Sequence, residues 1–202
     1  MRHPLLAGLL LALPLSAVAD GFSYTYADAR YGFSDADATT AQAAGPVLSG
    51  ALALPELYGI SSLYLLGGLS YLETDNYSDG GVSGKLAALD AGLRLGTHHA
   101  LTPGLDLFGN AGLAYANTEG KGGFSGYSDD DLSYLIELGL RAQLIERLEL
   151  AIGYDFTGLR NDTTGSFSTG LEYRITPHIS VVGAAEYASH ADGYTVGGRY
   201  NF

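Results

Sequence analysis

The feature that most constrains this chain is an alternation of apolar with small or polar residues, repeated with a period of two. Successive side chains of a strand point to opposite faces, so this period predicts β-strands. The alternation is clearest over residues 132–144, where the apolar face holds Leu132, Tyr134, Ile136, Leu138, Leu140, Ala142 and Leu144. In each segment one face carries no charge, and the other mixes Gly, Ala and Ser with isolated charges of both signs.

The character of the second face separates two kinds of β protein. A soluble antiparallel sheet also alternates, but its polar face meets water. Here that face is small, glycine-rich and sparsely charged, which is typical of the crowded interior of a small barrel whose apolar face meets lipid. Aromatic residues such as Tyr115, Tyr134 and Phe156 gather toward segment ends, as interfacial girdles would require. We therefore predict an all-β fold, a closed antiparallel transmembrane up-and-down β-barrel.

Ten strands are predicted, with eight as the alternative. The segments are 22–33, 43–54, 59–74, 84–97, 104–116, 130–144, 148–159, 166–175, 179–188 and 193–202. The first two are the weakest, and fusing or discarding them would leave eight. Tyr24 and Tyr26 begin an apparent apolar face in the first segment, yet Asp28 and Arg30 fall on the same face. A bulge or an early strand end is expected there.

The connections alternate in length, independently of the hydrophobic pattern. Those after the even-numbered segments are short (55–58, 98–103, 145–147 and 176–178). Most of the others are longer and polar (34–42, 75–83, 117–129, 160–165 and 189–192). Short turns at one rim and longer loops at the other are the arrangement of outer-membrane barrels, with both termini on the side of the short turns.

The N-terminus predicts export. Arg2 and His3 precede an apolar stretch from Leu5 to Leu15, and Ala17-Val18-Ala19 is a small-x-small cleavage signal. This layout predicts a signal peptide over residues 1–19 and a barrel domain over 20–202. The apolar stretch is too short for a transmembrane helix, which takes about 20 residues.

Composition excludes several function classes. Cysteine is absent, which removes disulfides, thiolate catalysis and cysteine-based metal sites. The net charge of −12 argues against a nucleic-acid partner, because phosphates would be repelled. We predict no cofactor.

The last strand, Tyr194-Thr195-Val196-Gly197-Gly198-Arg199-Tyr200-Asn201-Phe202, supplies a resemblance. With the export signal and the alternating strands, it resembles the small bacterial outer-membrane β-barrel proteins, the group that includes OmpX, Ail and the OmpA membrane domain. The match is architectural and covers essentially the whole mature chain. It implies location in the bacterial cell outer membrane and contact with outer-membrane lipids and lipopolysaccharide. It also implies that Val196, Tyr200 and Phe202 form the signal read by the barrel-assembly machinery.

The inward face is predicted to hold a polar network in the lumen. Its members are Asp90, Arg94, Asp106, Glu137, Arg141, Glu149, Asp155, Glu172, Arg174, Glu186 and Arg199. We expect Arg94 to face Asp106 and Glu137 to face Asp155. The second pair is like-charged and unfavourable, so that register is shifted, an arginine such as Arg141 intervenes, or one carboxyl is protonated. A salt-bridge network that plugs the barrel is the favoured interpretation, and a narrow ion-conducting lumen is the alternative.

Acidic loops are the remaining chemical feature. Asp129, Asp130 and Asp131, with Asp75 and Asp79 on another loop, could contact divalent cations through oxygen ligands. No EF-hand spacing is present, and a solvated acidic rim, bridged by Mg²⁺ or Ca²⁺ to lipopolysaccharide phosphates, is the interpretation adopted. No metal site is predicted.

Catalysis has one weak candidate, Ser189 with His190 near the outer rim. Neighbouring residues of a strand point to opposite faces, so a direct Ser–His pair is not expected. We predict a non-enzymatic outer-membrane protein with a structural or surface-interaction role. A narrow, porin-like channel for ions or small solutes is the alternative, and a lipid-modifying outer-membrane enzyme is a weaker one.

Overall fold

The computed structural model describes residues 22–36, 42–56, 60, 62–75, 77–79, 82–159, 162–189 and 191–202. The predicted signal peptide, residues 1–19, lies outside the described residues. No helix in the described part is long and apolar enough to cross a membrane.

Ten long antiparallel strands form one closed ring. They are β1 Tyr26–Ala36, β2 Gln42–Ala53, β3 Leu63–Thr74, β4 Val82–Thr102, β5 Leu105–Gly122, β6 Ser128–Ile145, β7 Leu148–Leu159, β8 Asp162–Arg174, β9 Ile179–Ala188 and β10 Ala191–Asn201. Each strand pairs with the next in sequence, and β1 pairs with β10, which closes the barrel. A short strand, Tyr77–Asp79, pairs only with the start of β4. The ten-strand prediction is confirmed, and the eight-strand alternative is wrong.

The predicted contrast in connection length holds only in part, because β7–β8 and β9–β10 are joined by two residues each (160–161 and 189–190), whereas β2–β3 is joined by nine (54–62). Both described ends of the chain and the turns β4–β5, β6–β7 and β8–β9 lie at one rim, which we call the turn end. The opposite rim is the loop end. The β4–β5 turn consists of Pro103 and Gly104, and Gly104 has a φ of +86°. Proline followed by a residue with positive φ is the pattern of a type II turn, which favours glycine at the second position.

Three neighbouring strands are longer than predicted. β4 has 21 residues, and β5 and β6 have 18 each. β4 gains most of its extra length at the turn end, at residues 98–102. The pairing of β5 continues to Gly122 opposite Gly84 and to Glu119 opposite Ser128, so that it enters residues 117–129, which were predicted as a loop. The alternation fades there because a strand that projects into water has no apolar environment on either face to select one residue type.

The outer surface of the barrel is apolar, as predicted. Leu132, Ile136 and Leu138 of β6 are 63%, 43% and 58% exposed, whereas the alternate positions Glu137 and Arg141 point into the barrel. Apolar side chains thus lie on the outside and charged side chains on the inside, the reverse of a soluble protein. This is the arrangement of a barrel immersed in lipid.

The first strand corrects one expectation. Tyr24 and Tyr26 lie on the inward side with Asp28 and Arg30, and the outward side of β1 carries Tyr31 and Phe33. No bulge or early strand end is needed, because the tyrosines belong to the polar interior and not to the lipid-facing surface.

Candidate functional site: the barrel lumen

The predicted lumen residues occupy inward positions of their strands. The structure places eight of them along the central cavity, and the other three, Asp106, Asp155 and Arg174, contact inward-facing partners. Together with Asp28 and Arg30, the described lumen holds eight carboxylates and five guanidinium groups. The carboxylates are Asp28, Asp90, Asp106, Glu137, Glu149, Asp155, Glu172 and Glu186, and the guanidiniums are Arg30, Arg94, Arg141, Arg174 and Arg199. The described lumen therefore carries an excess of three negative charges.

A central cluster surrounds Arg94. Glu137 and Asp155 are directly opposite each other on β6 and β7, as expected. The cation between them is Arg94 and not Arg141: its Nη1 donates to Glu137 Oε2 at 3.0 Å and lies 3.6 Å from Asp155 Oδ1. Asn110 donates a second hydrogen bond to Glu137 Oε2 at 2.9 Å. Arg94 thus compensates for the repulsion between two carboxylates that the strand register places opposite each other.

The expected pair of Arg94 with Asp106 does not form. Arg94 lies opposite Gly112, and Asp106 lies opposite Ala100, because β4 continues to Thr102 and the turn centres on Pro103 and Gly104. The expected pair required a turn centred on Ala100. Because the position of the turn sets the register, a turn at Pro103 and Gly104 changes the cross-strand partner of every residue in the hairpin.

A second cluster links three neighbouring strands near the turn end. Glu149 accepts from Arg141 Nη2 at 2.7 Å and also pairs with Arg174 Nη2. Glu149 is 5% exposed, so two arginines share one buried carboxylate. Buried charges persist when they are paired and hydrogen-bonded, and this cluster joins β6, β7 and β8 inside the barrel.

A third cluster joins the first and last strands. Arg199 donates to Asp28 Oδ1 through Nε at 2.7 Å and to Glu172 Oε2 through Nη1 at 2.6 Å. Asp28 also pairs with Arg30, and Glu172 accepts from Ser180 Oγ at 2.7 Å. Asp28 was absent from the predicted network because it shares a face with tyrosines that appeared to face lipid. Its spacing of two from Arg30, on a face opposite Tyr31, was the signal that could have identified it.

Two of the three remaining predicted lumen residues are carboxylates bound by serines. Ser70 Oγ donates to Asp90 Oδ2 at 3.0 Å, and Ser166 Oγ donates to Glu186 Oε1 at 2.7 Å. These contacts explain part of the small polar character of the inward face, because serine fits a crowded interior and still donates to a carboxylate.

The segment that precedes β1 enters the mouth of the barrel at the turn end. We call residues 22–25 the N-terminal strap. The Tyr24 hydroxyl donates to Asp106 Oδ2 at 3.1 Å, and the Tyr24 ring stacks on His98 with centroids 3.9 Å apart. Arg141 Nη1 donates to the Ser23 carbonyl at 3.0 Å, and its guanidinium lies 4.9 Å from the ring centroids of both Phe22 and Tyr24.

The strap is held at its edges as well. The Ala53 N–H donates to Thr25 Oγ1 and the Phe202 N–H donates to the Thr25 carbonyl, each at 3.1 Å. His98, which was predicted in a turn, lies within β4 with Nδ1 3.2 Å from Asp106 Oδ2. Only 8% of Tyr24 is exposed, so the strap fills the space between Asp106, His98 and Arg141.

Above the strap lies a cavity of about 670 Å³. It extends from Glu186 and Gly193 near the loop end to Glu149 and Arg199 near the turn end, and Tyr24 and Arg141 line its lower part. The lumen is therefore partly open in its upper part and occupied by side chains at the turn end.

The aspartates predicted as cation contacts are not gathered at one place. Asp129, Asp130 and Asp131 begin β6, where alternate residues point to opposite faces. Asp75 follows β3, which β4 and β5 separate from β6, and Asp79 is in the short strand. Among the described residues, no three His, Cys, Asp or Glu side chains are grouped so that they could hold a metal ion.

The other predicted residues lie on the outer surface or outside the described chain. Val196, Tyr200 and Phe202 face outward and are 53%, 47% and 72% exposed. Ser189 is exposed after β9, and His190 lies outside the described residues.

Comparisons with known proteins agree with this architecture. Residues 5–174 match the family model described as outer membrane protein beta-barrel domain. No curated protein sequence matches the chain. Among solved structures, the NanC porin is similar with a TM-score of 0.53 and 13% identity, covering 87% of this chain and 100% of that chain. The KdgM porin is similar with a TM-score of 0.52 and 11% identity, covering 88% of this chain and 99% of that chain. At these identities the likeness concerns the fold.

Proposed function

The chain belongs to the family of outer membrane protein β-barrel domains, and on that premise we propose that it is a closed structural barrel with a surface-interaction role. The turn end then faces the periplasm and the loop end faces the exterior, because outer-membrane barrels carry their short turns on the periplasmic side. The observation that carries the proposal is the N-terminal strap, which occupies the periplasmic mouth of the lumen.

The strap supports closure because its contacts are numerous and of different kinds. Tyr24 contributes a hydrogen bond, a ring stack and a cation–π contact, and Ser23 contributes a backbone acceptor. Opening the mouth would leave Asp106 and Arg141 without these partners in a confined space, and unpaired polar groups of this kind are costly.

The projecting sheet formed by β4, β5 and β6 supports the surface role. A strand crosses a bilayer in about 9–11 residues, so strands of 18 and 21 residues extend well beyond the membrane at the loop end. A paired sheet holds exposed side chains in a fixed arrangement, which suits contact with another surface better than a flexible loop does.

Planar-bilayer recording of the purified protein tests closure. The wild type should show no discrete openings, and an internal deletion of residues 22–25 should produce them. The openings should prefer cations, because the described lumen has three more carboxylates than guanidinium groups. The Ser23→Ala variant is the matched control and should stay closed, since Arg141 binds the carbonyl of Ser23 and not its side chain. A deletion variant that folds but remains silent would contradict the role given to the strap.

The surface role has its own test. Shortening the β5–β6 hairpin by removal of residues 119–128 should leave barrel folding and heat-modifiable gel mobility unchanged. Autoaggregation and attachment to abiotic surfaces by cells that express the shortened protein should fall below those of the wild type. Equal attachment by cells that express the two proteins would show that the projecting sheet does not contribute to surface interaction.

A narrow cation-preferring channel is the second candidate, and the cavity of about 670 Å³ favours it. Under this alternative the wild type itself shows discrete openings, and their reversal potential under a salt gradient has the sign of cation preference. Loss of those openings in Tyr24→Ala would further exclude the strap as a closure.

A further inference from the structure

The two lysines of this chain are direct neighbours. Lys85 on β4 lies opposite Lys121 on β5, near the exterior end of both strands. The arginines in the described part of the chain lie elsewhere: five point into the lumen, and Arg147 is in a periplasmic turn. Within the described residues, the exterior half of the outer surface therefore concentrates its positive charge at this one pair.

Such a pair is unfavourable unless something compensates for it, because like charges directly opposite on paired strands repel. Glu73 of β3 bridges the two ammonium groups, with Oε1 3.1 Å from Lys85 Nζ and Oε2 2.5 Å from Lys121 Nζ. Lys121 Nζ also donates to the Tyr71 hydroxyl at 2.7 Å. One carboxylate thus serves two cations, and the trio keeps a net positive charge.

The ammonium groups retain capacity to bind an anion. Each has three N–H donors; Lys121 uses two on Glu73 and Tyr71, and Lys85 uses one on Glu73. The side chains of Lys85 and Lys121 are 41% and 46% exposed, so the remaining donors are open to the surroundings.

The depth of the trio is indicated by Tyr71. Its ring faces outward near the end of β3, in the position of an exterior girdle tyrosine, and is 39% exposed. Girdle tyrosines mark the boundary between hydrocarbon and headgroups. Because Lys121 Nζ is 2.7 Å from the Tyr71 hydroxyl, the ammonium lies at headgroup depth on the lipid-facing side. In the outer leaflet of this membrane, that layer holds the phosphates of lipopolysaccharide.

We propose that Lys85 and Lys121, with Tyr71, form a binding site for a phosphate group of lipopolysaccharide in the outer leaflet. A lysine ammonium is a compact charge that suits a phosphate, and two of them on adjacent strands can contact different oxygens of one group. The proposal depends on the outer-membrane location and not on whether the lumen is closed. It also differs from the metal-bridged contact predicted for the acidic loops, because it needs no divalent cation.

Besides Glu73, Glu119 is a carboxylate that would oppose binding of an anion. It lies two residues before Lys121 on the same face of β5 and is exposed. Glu119 and Glu73 therefore provide variants expected to strengthen binding, which is useful because a loss of binding alone could reflect misfolding.

The experiment is a calorimetric titration of the purified protein in zwitterionic micelles, in the presence of EDTA, with bisphosphorylated lipid A and with its dephosphorylated form. Phosphorylated lipid A should bind and the dephosphorylated form should bind much more weakly. Each of Lys85→Gln and Lys121→Gln should weaken binding about fivefold, since a cation near an anionic membrane surface contributes about that factor. Glu73→Gln and Glu119→Gln should each strengthen it by a few fold.

Two further variants isolate charge and position. The double variant Lys85→Arg with Lys121→Arg should retain binding, and Arg147→Gln removes one charge at the periplasmic end and should change nothing. Inorganic phosphate should fail to displace lipid A, because the proposed ligand is anchored at headgroup depth by its acyl chains.

The proposal is overturned if the lysine variants bind lipid A as the wild type does, or if Arg147→Gln weakens binding as much as they do. Displacement by inorganic phosphate would indicate a site for free anions. Binding that appears only when EDTA is omitted would indicate the metal-bridged contact at the acidic loops.

Discussion

Removal of the Arg94 guanidinium should expose the repulsion that the barrel register creates between Glu137 and Asp155. The two carboxylates are direct cross-strand partners, whose Cβ atoms are about 5 Å apart in such pairs. At an effective dielectric constant of about 20, unit charges at that distance repel by about 3 kcal/mol. The three side chains are 29%, 16% and 16% exposed, so water in the lumen screens part of this. We expect Arg94→Met, which keeps the aliphatic stem, to lower the free energy of unfolding by about 2–3 kcal/mol.

The measurement is the unfolding midpoint in guanidinium chloride, with the protein in detergent micelles. The chain has no tryptophan, so far-UV circular dichroism and heat-modifiable gel mobility report folding in place of indole fluorescence. Adding Asp155→Asn to Arg94→Met should recover most of the loss, because the repulsion is then gone and Asn110 still donates to Glu137.

Comparison of the single and double variants tests whether the loss of stability is electrostatic. If Arg94→Met unfolds at the wild-type midpoint, the repulsion between Glu137 and Asp155 does not lower the stability of the barrel. If Arg94→Met is destabilised but Asp155→Asn recovers nothing, the loss comes from packing of the arginine and not from electrostatics. Asp155→Asn in the wild-type background should change stability little, since it removes only the longer contact to Arg94 and the bond from Ser168.

Three further predictions concern the barrel itself. Leu138→Lys, on the outward face of β6, should cost about 2–4 kcal/mol in lipid vesicles, whereas Leu138→Phe should be nearly neutral; equal stability of the two would contradict the lipid-facing assignment. Gly104→Val should cost about 1–3 kcal/mol, because a β-branched residue is strained at a φ of +86°; Gly104→Asn should cost less, and unfolding midpoints that rank the other way would refute the turn argument. Deletion of Phe202 should leave the chain in the periplasm, if that residue is part of the assembly signal, and normal outer-membrane fractionation after the deletion would exclude this role.

The strand pattern could be predicted because lipid imposes it locally. Every outward position of a membrane strand must be apolar and every neighbour may be polar, so Leu138 and Glu137 can be assigned to opposite faces from their spacing alone. The prediction weakened where that constraint ends. The exterior parts of β4, β5 and β6 meet water on both faces, and their alternation disappears although their pairing continues.

The partners of the lumen charges could not be predicted in the same way. The choice of Arg94, and not Arg141, as the cation between Glu137 and Asp155 depends on which strands face each other across the closed ring. A difference of a few residues in the turn at Gly104 was enough to separate Arg94 from Asp106. Register and closure are properties of strand pairs, and a single strand carries no information about them.

The sequence by itself predicted a barrel of outward-apolar strands, with ten favoured over eight, because hydrophobic alternation is a local property of each segment. Only the tertiary structure decided what lies inside. Tyr24 is an aromatic residue of the type expected on the lipid-facing surface, but it lies inside the barrel. There it donates a hydrogen bond to Asp106, stacks on the ring of His98 and packs against the guanidinium of Arg141, which all come from strands distant in sequence. Lys85 and Lys121 are 36 residues apart in the numbering and adjacent only because β4 and β5 pair as far as the exterior end of the barrel. The contacts of the N-terminal strap and the lysine pair are both products of contacts between strands.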